Sequence, residues 1–391
     1  MRAAIYGTLV AAAVTLATVS TTWRDSPLRA GALETSDLPA AIYLSASICG
    51  FLLYLGGLYV VRRRGASVVV VCTIAAAIQL VPLAGPLLIS QDVYAYWAYG
   101  REAAVHHANP YSVAPAHFAA DPADRAMAPV WRNSKSVYGP VFSAASAGLA
   151  ATSGRSAKSA AYAYRVAAAL GMLAVTGLGM LAAPVPAFAA AFIGWNPFLA
   201  QNFAGGGHND VWMMAFVLGA LVLAAHRPRL AGASFAVAVG LKWVVLPLLP
   251  LRLLAEGRRR ALVMALGFLA ATAVIAAAAS VFFGTAWLTA LVPFASRRSH
   301  WAFPSRLSAL GLPPWLAAAP LVLALPWLVR NARRGRPRLS IATILLLLAT
   351  PWLLPWYAGW VVPLAALEED RLAWALAIAF TAYLLPDGIP L

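Results

Sequence analysis

The chain alternates between long apolar stretches and short polar or basic segments. Roughly ten of the apolar stretches approach the ~20 residues that a membrane-spanning helix needs. They cover residues 3–23, 39–61, 66–89, 139–152, 160–182, 184–251, 261–283, 312–329, 339–366 and 371–386. The pattern predicts an all-α fold, a polytopic transmembrane helix bundle of about ten to twelve spans, some of them short or broken.

Arginine clusters between the apolar stretches orient the chain, because short basic loops stay in the cytoplasm. The strongest of these clusters are Arg62–Arg64, Arg258–Arg260 and the five arginines from Arg330 to Arg338. They place two loops, residues 90–138 and 284–311, on the extracytoplasmic side of the membrane. The whole chain, 1–391, is then predicted to be one integral membrane domain.

Two stretches, 3–23 and 184–251, leave room for alternatives. Residues 3–23 could be a signal peptide, but the run is long and lacks a small-residue cleavage pattern, so a first span is favoured. Residues 139–152 are predicted to cross the membrane and to return the basic residues Arg155 and Lys158 to the cytoplasmic side. Residues 184–251 fit either three full spans or a helix broken near Lys242.

Lys242 lies within the last apolar part of the stretch 184–251, and Pro247 and Pro250 follow it closely. Three full spans would put His208-Asn209-Asp210 inside the cell, whereas a helix broken near Lys242 puts this triplet outside. Broken helices at membrane depth occur where they line a cavity or are buried in protein. We favour the broken helix.

Composition supports a lipid environment and narrows the function classes. Hydrophobic residues make up 62% of the chain and charged residues 11%, against about 25% in a typical soluble domain. These proportions exclude a soluble enzyme, a disulfide scaffold and a disordered tail. The net charge of +16 lies in clusters between apolar stretches, so it indicates membrane orientation and anionic-lipid contact rather than nucleic-acid binding. Cys49 and Cys72 are interpreted as buried thiols.

The first large loop opens with a carboxylate, Asp92, where the chain leaves the third apolar stretch. Tyr94, Trp97 and Arg101 follow at helical spacing, which predicts a helix lying on the outer membrane surface. In one interpretation this helix is an aromatic anchor that Asp92 caps. In the other, Asp92 lies at the mouth of a lipid-lined cavity, where partial desolvation raises its pKa and suits it to act as a general base.

Other polar positions carry similar pairs of interpretations. The segments 109–111 (Asn-Pro-Tyr) and 138–140 (Tyr-Gly-Pro) combine turn formers with aromatic rings, as structural loops and sugar sites both do. A lysine within an apolar stretch is costly, so Lys242 indicates a functional site or a structural pair with a buried acid such as Asp210. Asp210 begins an apolar stretch and could equally cap a helix. The segment 355–357 (Pro-Trp-Tyr) fits a cavity or an aromatic belt.

In combination these motifs resemble the GT-C class of membrane glycosyltransferases. Within that class the chain most resembles the actinobacterial polyprenol-phosphomannose-dependent α-(1→6)-mannosyltransferases, over about residues 66–260. The residues that carry the resemblance are Asp92 to Tyr96, Gly100-Arg101, Asn109-Pro110-Tyr111, Tyr138-Gly139-Pro140, Asn196-Pro197, His208-Asn209-Asp210 and Lys242.

The resemblance implies an inverting transfer of a hexose from a polyprenyl-monophosphate donor to a cell-envelope glycan or glycolipid. Mannose is the hexose expected. The resemblance also implies a multi-pass protein of the plasma membrane, with its active site on the extracytoplasmic side and Asp92 as the catalytic base. It assigns sugar or acceptor contacts to Tyr94, Arg101, Asn109, Tyr111, Tyr138, His208, Asn209 and Asp210. Candidates to hold the departing phosphate are Lys242, Arg297, Arg298 and His300, the last three of which could instead form a solvated basic loop.

Neither a cofactor nor nucleic acid is expected. The histidines at 106, 107 and 117 lack the spacing of a zinc site, and nothing suggests a tightly held divalent metal. Phosphate-loop and dinucleotide-binding motifs are absent from the sequence. The alternative function is a transporter or flippase for a lipid-linked or small anionic substrate, which broken helices and Lys242 fit but the aromatic loop does not. A third hypothesis is a polymerase or ligase that moves a whole lipid-linked glycan.

Overall fold

The protein is an all-helical bundle, as the sequence predicts. The computed structural model describes residues 1–29, 36–88, 90–290 and 297–390. Its helices are α1 (Arg2–Ser20), α2 (Asp37–Arg64), α3 (Val68–Leu80), α4 (Asp92–Ala104), α5 (Pro122–Ala126), α6 (Pro129–Arg132), α7 (Pro140–Ser153), α8 (Ala157–Ala182), α9 (Pro186–Gly194), α10 (Pro197–Ala200), α11 (Asp210–Leu223), α12 (Pro228–Leu241), α13 (Leu248–Leu254), α14 (Arg258–Phe283), α15 (Phe303–Ala309), α16 (Ala319–Arg333), α17 (Leu339–Ala349), α18 (Ala358–Leu367) and α19 (Arg371–Leu384).

Five helices within the described ranges are long and apolar enough to cross a membrane. They are α1, α2, α8, α14 and α16 together with its preceding 3₁₀ turn. A sixth span is counted if the segment Pro197–Gly205 and α11 are taken together, although they are bent by 119° at the break between them. Because the other apolar helices are shorter, the predicted total of ten to twelve spans stays a prediction.

Three helix termini meet at one end of the bundle. In the last turn of α2, Arg62 Nη2 lies 3.1 Å from Glu369 Oε1, and Arg62 Cζ lies 5.2 Å from the ring centroid of Trp374. Arg338, just before α17, pairs with Asp370, which caps α19. We call this end the basic end. The arginine clusters at 62–64 and 330–338, predicted to share one side of the membrane, do lie at the same end.

The position of α7 differs from the sequence prediction. The last turn of α8 lies near Leu367, at the basic end, so its first turn, with Arg155 and Lys158, lies at the opposite end. The prediction that 139–152 returns these two residues to the side of Arg62 is therefore wrong. The physical reason is length: the 14 residues of α7 extend only about 21 Å, less than the ~30 Å of a hydrocarbon core.

Instead of crossing, α7 packs along α4. Arg101, near the end of α4, donates from Nη1 to the carbonyl of Gly154 just after α7, at 3.0 Å. The two helices touch so closely at Gly100 that a Cβ there would lie 2.4 Å from the Ser146 carbonyl oxygen. The Ser146 hydroxyl also donates to the carbonyl of Tyr96 at 2.7 Å. These contacts hold α4 against α7 and so position the residues of α4.

A buried ion pair holds the large loop against α4. Arg101 donates to both carboxylate oxygens of Asp121 at 2.9–3.1 Å, and the His106 ring lies 2.7 Å from the same carboxylate. Burial alone would raise the pKa of Asp121. The hydrogen bonds from Arg101, the Ala123 amide and His106 outweigh burial and lower this pKa to about 2.

The cysteines are only partly as predicted. Both are free thiols; Cys72 is partly buried, with its sulfur 3.6 Å from that of Met180. Cys49 is exposed on α2, so the prediction that its thiol is buried is wrong. Residues 42–60 of α2 alternate between buried and outward-facing positions, and apolar character in a membrane helix does not distinguish a core face from a lipid face.

The close contact of α4 and α7 predicts an asymmetric response to added methyl groups. Gly100→Ala should lower the free energy of unfolding by about 1–3 kcal/mol, because the new methyl meets the Ser146 carbonyl. Gly148→Ala, in the same pair of helices but with open space around it, should raise stability by roughly 0.5–1 kcal/mol. Thermal unfolding in detergent measures both; equal effects would contradict this packing.

Candidate active site

Asp92 is the first residue of α4. Its amide donates to the Ser90 hydroxyl at 3.2 Å, and its side chain is 18% exposed. A carboxylate suits a helix N-terminus, where unpaired amides give a partial positive charge. Burial is the main influence on its acidity and raises the pKa to about 6; the Asp210 charge adds to the rise, while Lys242 and the Ser90 hydroxyl oppose it. Such a group is ionised at neutral pH yet basic enough to accept a proton.

A break in the helices brings a histidine to Asp92. After α10 the chain forms a π-helical turn, Gln201–Gly205, and Gly207 then adopts φ +75°, which permits the sharp change of direction before α11. His208 Nδ1 consequently lies 3.8 Å from Asp92 Oδ2. The His208 ring stacks on Trp356 with 3.5 Å between centroids. The structure thus brings the 208–210 triplet to Asp92, while its placement on the outer side of the membrane stays a prediction.

A second break carries Lys242. Here α12 ends at Leu241, Lys242 is extended, and a 3₁₀ turn follows at Trp243–Val245. Lys242 Nζ lies 2.6 Å from Asp210 Oδ1, which also accepts a hydrogen bond from the Trp360 indole at 2.7 Å. The ammonium further lies 5.3 Å from the ring centroid of Tyr357, within cation–π range. From the sequence, Lys242 was interpreted either as part of a functional site or as the partner of a buried acid such as Asp210. The structure contains the pair with Asp210.

Asp92 and Lys242 both line one cavity of about 320 Å³. Asp92, Lys242 and Arg297 supply its charged lining. Its rim is largely aromatic, from Tyr96, Tyr99, Trp131, Tyr138, Trp243, Trp352, Trp356 and Tyr357. The cavity therefore offers one acceptor of protons, two cations and several flat ring faces.

Arg297 is held at the cavity by the large loop. Its guanidinium lies 4.0 Å from the ring centroid of Trp131 and donates to the Ser134 hydroxyl at 3.0 Å. Tyr99 donates to the Ser134 carbonyl at 2.8 Å, which ties the same segment to α4. The two outer loops of the sequence prediction therefore meet at this cavity.

The predicted site residues divide into three groups. Those lining the cavity are Asp92, Tyr138, Lys242 and Arg297, with His208 and Asp210 adjoining it. Those engaged in supporting bonds are Arg101 with Asp121, Asn109 with the Phe283 carbonyl, and Tyr111 with the Tyr138 carbonyl and Ser143 hydroxyl. Those elsewhere are Tyr94, which lines a different cavity, the buried Asn209, and the exposed Arg298 and His300.

Sequence reasoning did not single out three aromatic lining residues, Trp131, Trp243 and Trp352. Each stands within two residues of a proline or directly after Lys242, at a point where a helix stops or starts. A tryptophan beside a helix break is the signal that could have found them, because such breaks at membrane depth line cavities.

Two apolar cavities adjoin the polar one. A cavity of about 330 Å³ between α13 and α17 shares Val244, Trp352 and Tyr357 with it. Another, of about 300 Å³, lies between α7, α8, α11 and α12 and reaches His208 and Asn209. Within the described ranges, no group of three or more His, Cys, Asp or Glu side chains is placed to hold a metal ion.

These features define a polytopic membrane protein with a polar, aromatic-rimmed cavity between broken helices. The family model described as alpha-(1->6)-mannopyranosyltransferase, N-terminal domain, matches residues 3–257. The chain belongs to this family. It is 26% identical, over 82% of its length, to alpha-(1->6)-mannopyranosyltransferase B of Corynebacterium glutamicum, and spans 63% of the length of that relative. No solved structure matches the chain.

Proposed function

We propose that the protein is an inverting glycosyltransferase that moves a hexose, with mannose the first choice, from a polyprenyl-monophosphate donor to a cell-envelope glycan or glycolipid. The active site would face the extracytoplasmic side of the plasma membrane. The observation that carries the proposal is the single cavity in which Asp92 faces Lys242 and Arg297. The family match and the relative named above support mannose as the sugar.

Asp92 is the base of the proposed reaction. The acceptor hydroxyl transfers its proton to the Asp92 carboxylate while its oxygen forms a bond to the anomeric carbon of the donor. The bond from that carbon to the phosphate oxygen breaks, and the polyprenyl phosphate leaves with the electron pair. Such proton transfer accelerates a reaction by about 10²–10⁴-fold. His208, held by its stack on Trp356, serves as a positioning residue beside the carboxylate.

The cations of the cavity stabilise the leaving phosphate. Arg297 offers a planar set of donors suited to phosphate, and Lys242 adds a point charge that its pairing with Asp210 holds in place. Both cations are partly buried, and fixed charges placed where a negative charge develops can stabilise a transition state strongly. The aromatic rim supplies flat faces on which sugar rings can stack.

The lipid part of the donor fits the apolar cavity between α13 and α17. This cavity shares Val244, Trp352 and Tyr357 with the polar one, so a phosphate beside Lys242 would place its prenyl chain there. Burying such a chain gains roughly 25 cal/mol for each Å² of apolar area removed from water. A donor with a short or absent chain should therefore bind poorly.

A transporter or flippase is the second candidate, because the bent pair at 119° and the buried ion pair recur in transporters. Purified protein in detergent, without a gradient, distinguishes the two: an enzyme produces glycosylated acceptor and free polyprenyl phosphate. Release of a diphosphate would instead indicate a polymerase or ligase.

Replacing the base tests the proposal most simply. Asp92→Asn and Asp92→Ala should each lower kcat by about 10²–10⁴-fold. Asp37→Asn is the matched control, because Asp37 also begins a long helix but is exposed. Transfer of labelled mannose to acceptor measures all three. Near-normal activity in both Asp92 variants would refute its assignment as the base.

The acidity of Asp92 predicts the pH dependence. Its ionised form is the active one, so kcat/KM should rise as pH increases through about 6 and level off above it. Since the charge of Lys242 lowers the pKa of Asp92, Lys242→Gln should move this rising limb to higher pH. A profile that is flat between pH 5 and 7, or a limb that Lys242→Gln leaves in place, would show that another group limits the reaction.

The adjacent residues Arg297 and Arg298 allow the proposed phosphate contact to be tested with a matched control. Arg297→Gln should lower kcat/KM for the lipid-phosphate donor by about ten- to hundredfold, the worth of a hydrogen bond to a charged group. Arg298→Gln should leave the rate near wild type, because Arg298 is exposed. Steady-state assays with varied donor concentration decide this; equal losses in both variants would instead indicate a general electrostatic effect of the loop.

A further inference from the structure

A second polar cavity lies on another side of α4. Its volume is about 940 Å³, and Arg29, Lys158 and Arg165 contribute cations to its lining. The other described residues of the lining are residues 83–87, Tyr94 and neighbours of Lys158 on α8, and none of these is Asp or Glu. Tyr94 follows Asp92 by two residues on α4, so this cavity and the candidate active site share one helix as a wall.

The buried member of this group is Arg165. It is 4% exposed, and its guanidinium donates to the carbonyls of Ala204 and Gly85 at 2.8 Å and also to that of Pro82. Among the described residues, neither Arg165 nor Lys158 is within ion-pair distance of an acid. The described residues that line the cavity therefore leave its positive charge without a neutralising acid, and this charge would attract an anion.

An apolar surface leads away from this cavity along α8. Tyr162, Leu170 and Leu181 are 54%, 53% and 68% exposed, and their spacing places them on one face of the helix. Because α8 is long and apolar enough to span a membrane, this face is suited to contact lipid chains. The cavity lies at the α8 end opposite the basic end, where the head groups of those lipids would be.

We propose that this cavity binds the phosphate of an anionic phospholipid whose acyl chains lie along the exposed face of α8. The charge complementarity and the adjoining apolar face together favour a lipid over a soluble anion. Since Arg165 holds the carbonyls of residues 82 and 85, the bound lipid would contact the segment that leads into α4. The proposal does not depend on glycosyl transfer.

Native mass spectrometry of detergent-purified protein tests the site. Protein titrated with phosphatidylglycerol should retain more bound lipid than with phosphatidylcholine. Lys158→Gln and Arg29→Gln should each weaken phosphatidylglycerol binding by about fivefold, the effect of one basic residue near an anionic head group. The matched control is Arg155→Gln, which removes a nearby exposed charge outside the cavity lining.

Several results would overturn the proposal. These are equal binding of the two lipids by the wild type, an Arg155→Gln loss as large as that of Lys158→Gln, or full binding by Lys158→Gln and Arg29→Gln. Inorganic phosphate distinguishes the source of the anion. If millimolar phosphate alone displaces the lipid and raises the melting temperature as the lipid does, the cavity is a soluble-anion site and the lipid proposal fails.

Discussion

The ion pair between Lys242 and Asp210 joins the two helix breaks on which the candidate site depends. Lys242 stands where α12 ends, and Asp210 begins α11 after the sharp turn at Gly207. Asp210 is fully buried, so losing its partner would leave an uncompensated charge, which costs about 3–5 kcal/mol. The pair therefore keeps both broken segments at one level of the bundle, and the cavity exists because they stay there.

Around this pair, the residues that support the large loop differ from those that line the cavity. The bonds of Arg101, Asn109 and Tyr111 fold the large loop back onto α4 and α14. That loop presents Trp131 and Ser134 to Arg297, and so closes the cavity over Asp92. A site of this form holds Asp92, Lys242 and Arg297 among aromatic walls, and fixed charges of this kind are what make electrostatic stabilisation effective.

Much of the fold could be predicted from the sequence, because apolar length and arginine clusters act independently of tertiary contacts. The shared end of the 62–64 and 330–338 clusters follows from charge alone. The short length of 139–152 already argued against a crossing. The partner of α7 could not be predicted, because a run of small apolar residues is equally suited to lipid and to close packing on another helix. The structure decides in favour of packing through Gly100 and the bond from Arg101 to the Gly154 carbonyl.

The residues of the candidate site likewise divide into those that the sequence could predict and those that it could not. Asp92 and Lys242 stood out because a charge beside or within an apolar stretch is costly, whatever surrounds it. The direction of Tyr94, by contrast, depends on how α4 is rotated against its neighbours. Helical spacing groups Tyr94 with Trp97 and Arg101 but leaves open which cavity that face meets, and Tyr94 lines the second one. Residues on a known helix could thus be assigned to a face but not to a site.

The most direct measurement is a cryo-electron microscopy structure of the protein with an unreactive phosphonate analogue of polyprenyl-phosphate mannose. The proposed mechanism requires the phosphonate beside Lys242 and Arg297, the prenyl chain between α13 and α17, and the anomeric carbon facing Asp92. A phosphonate bound away from both cations, or a sugar whose anomeric carbon is turned away from Asp92, would contradict it.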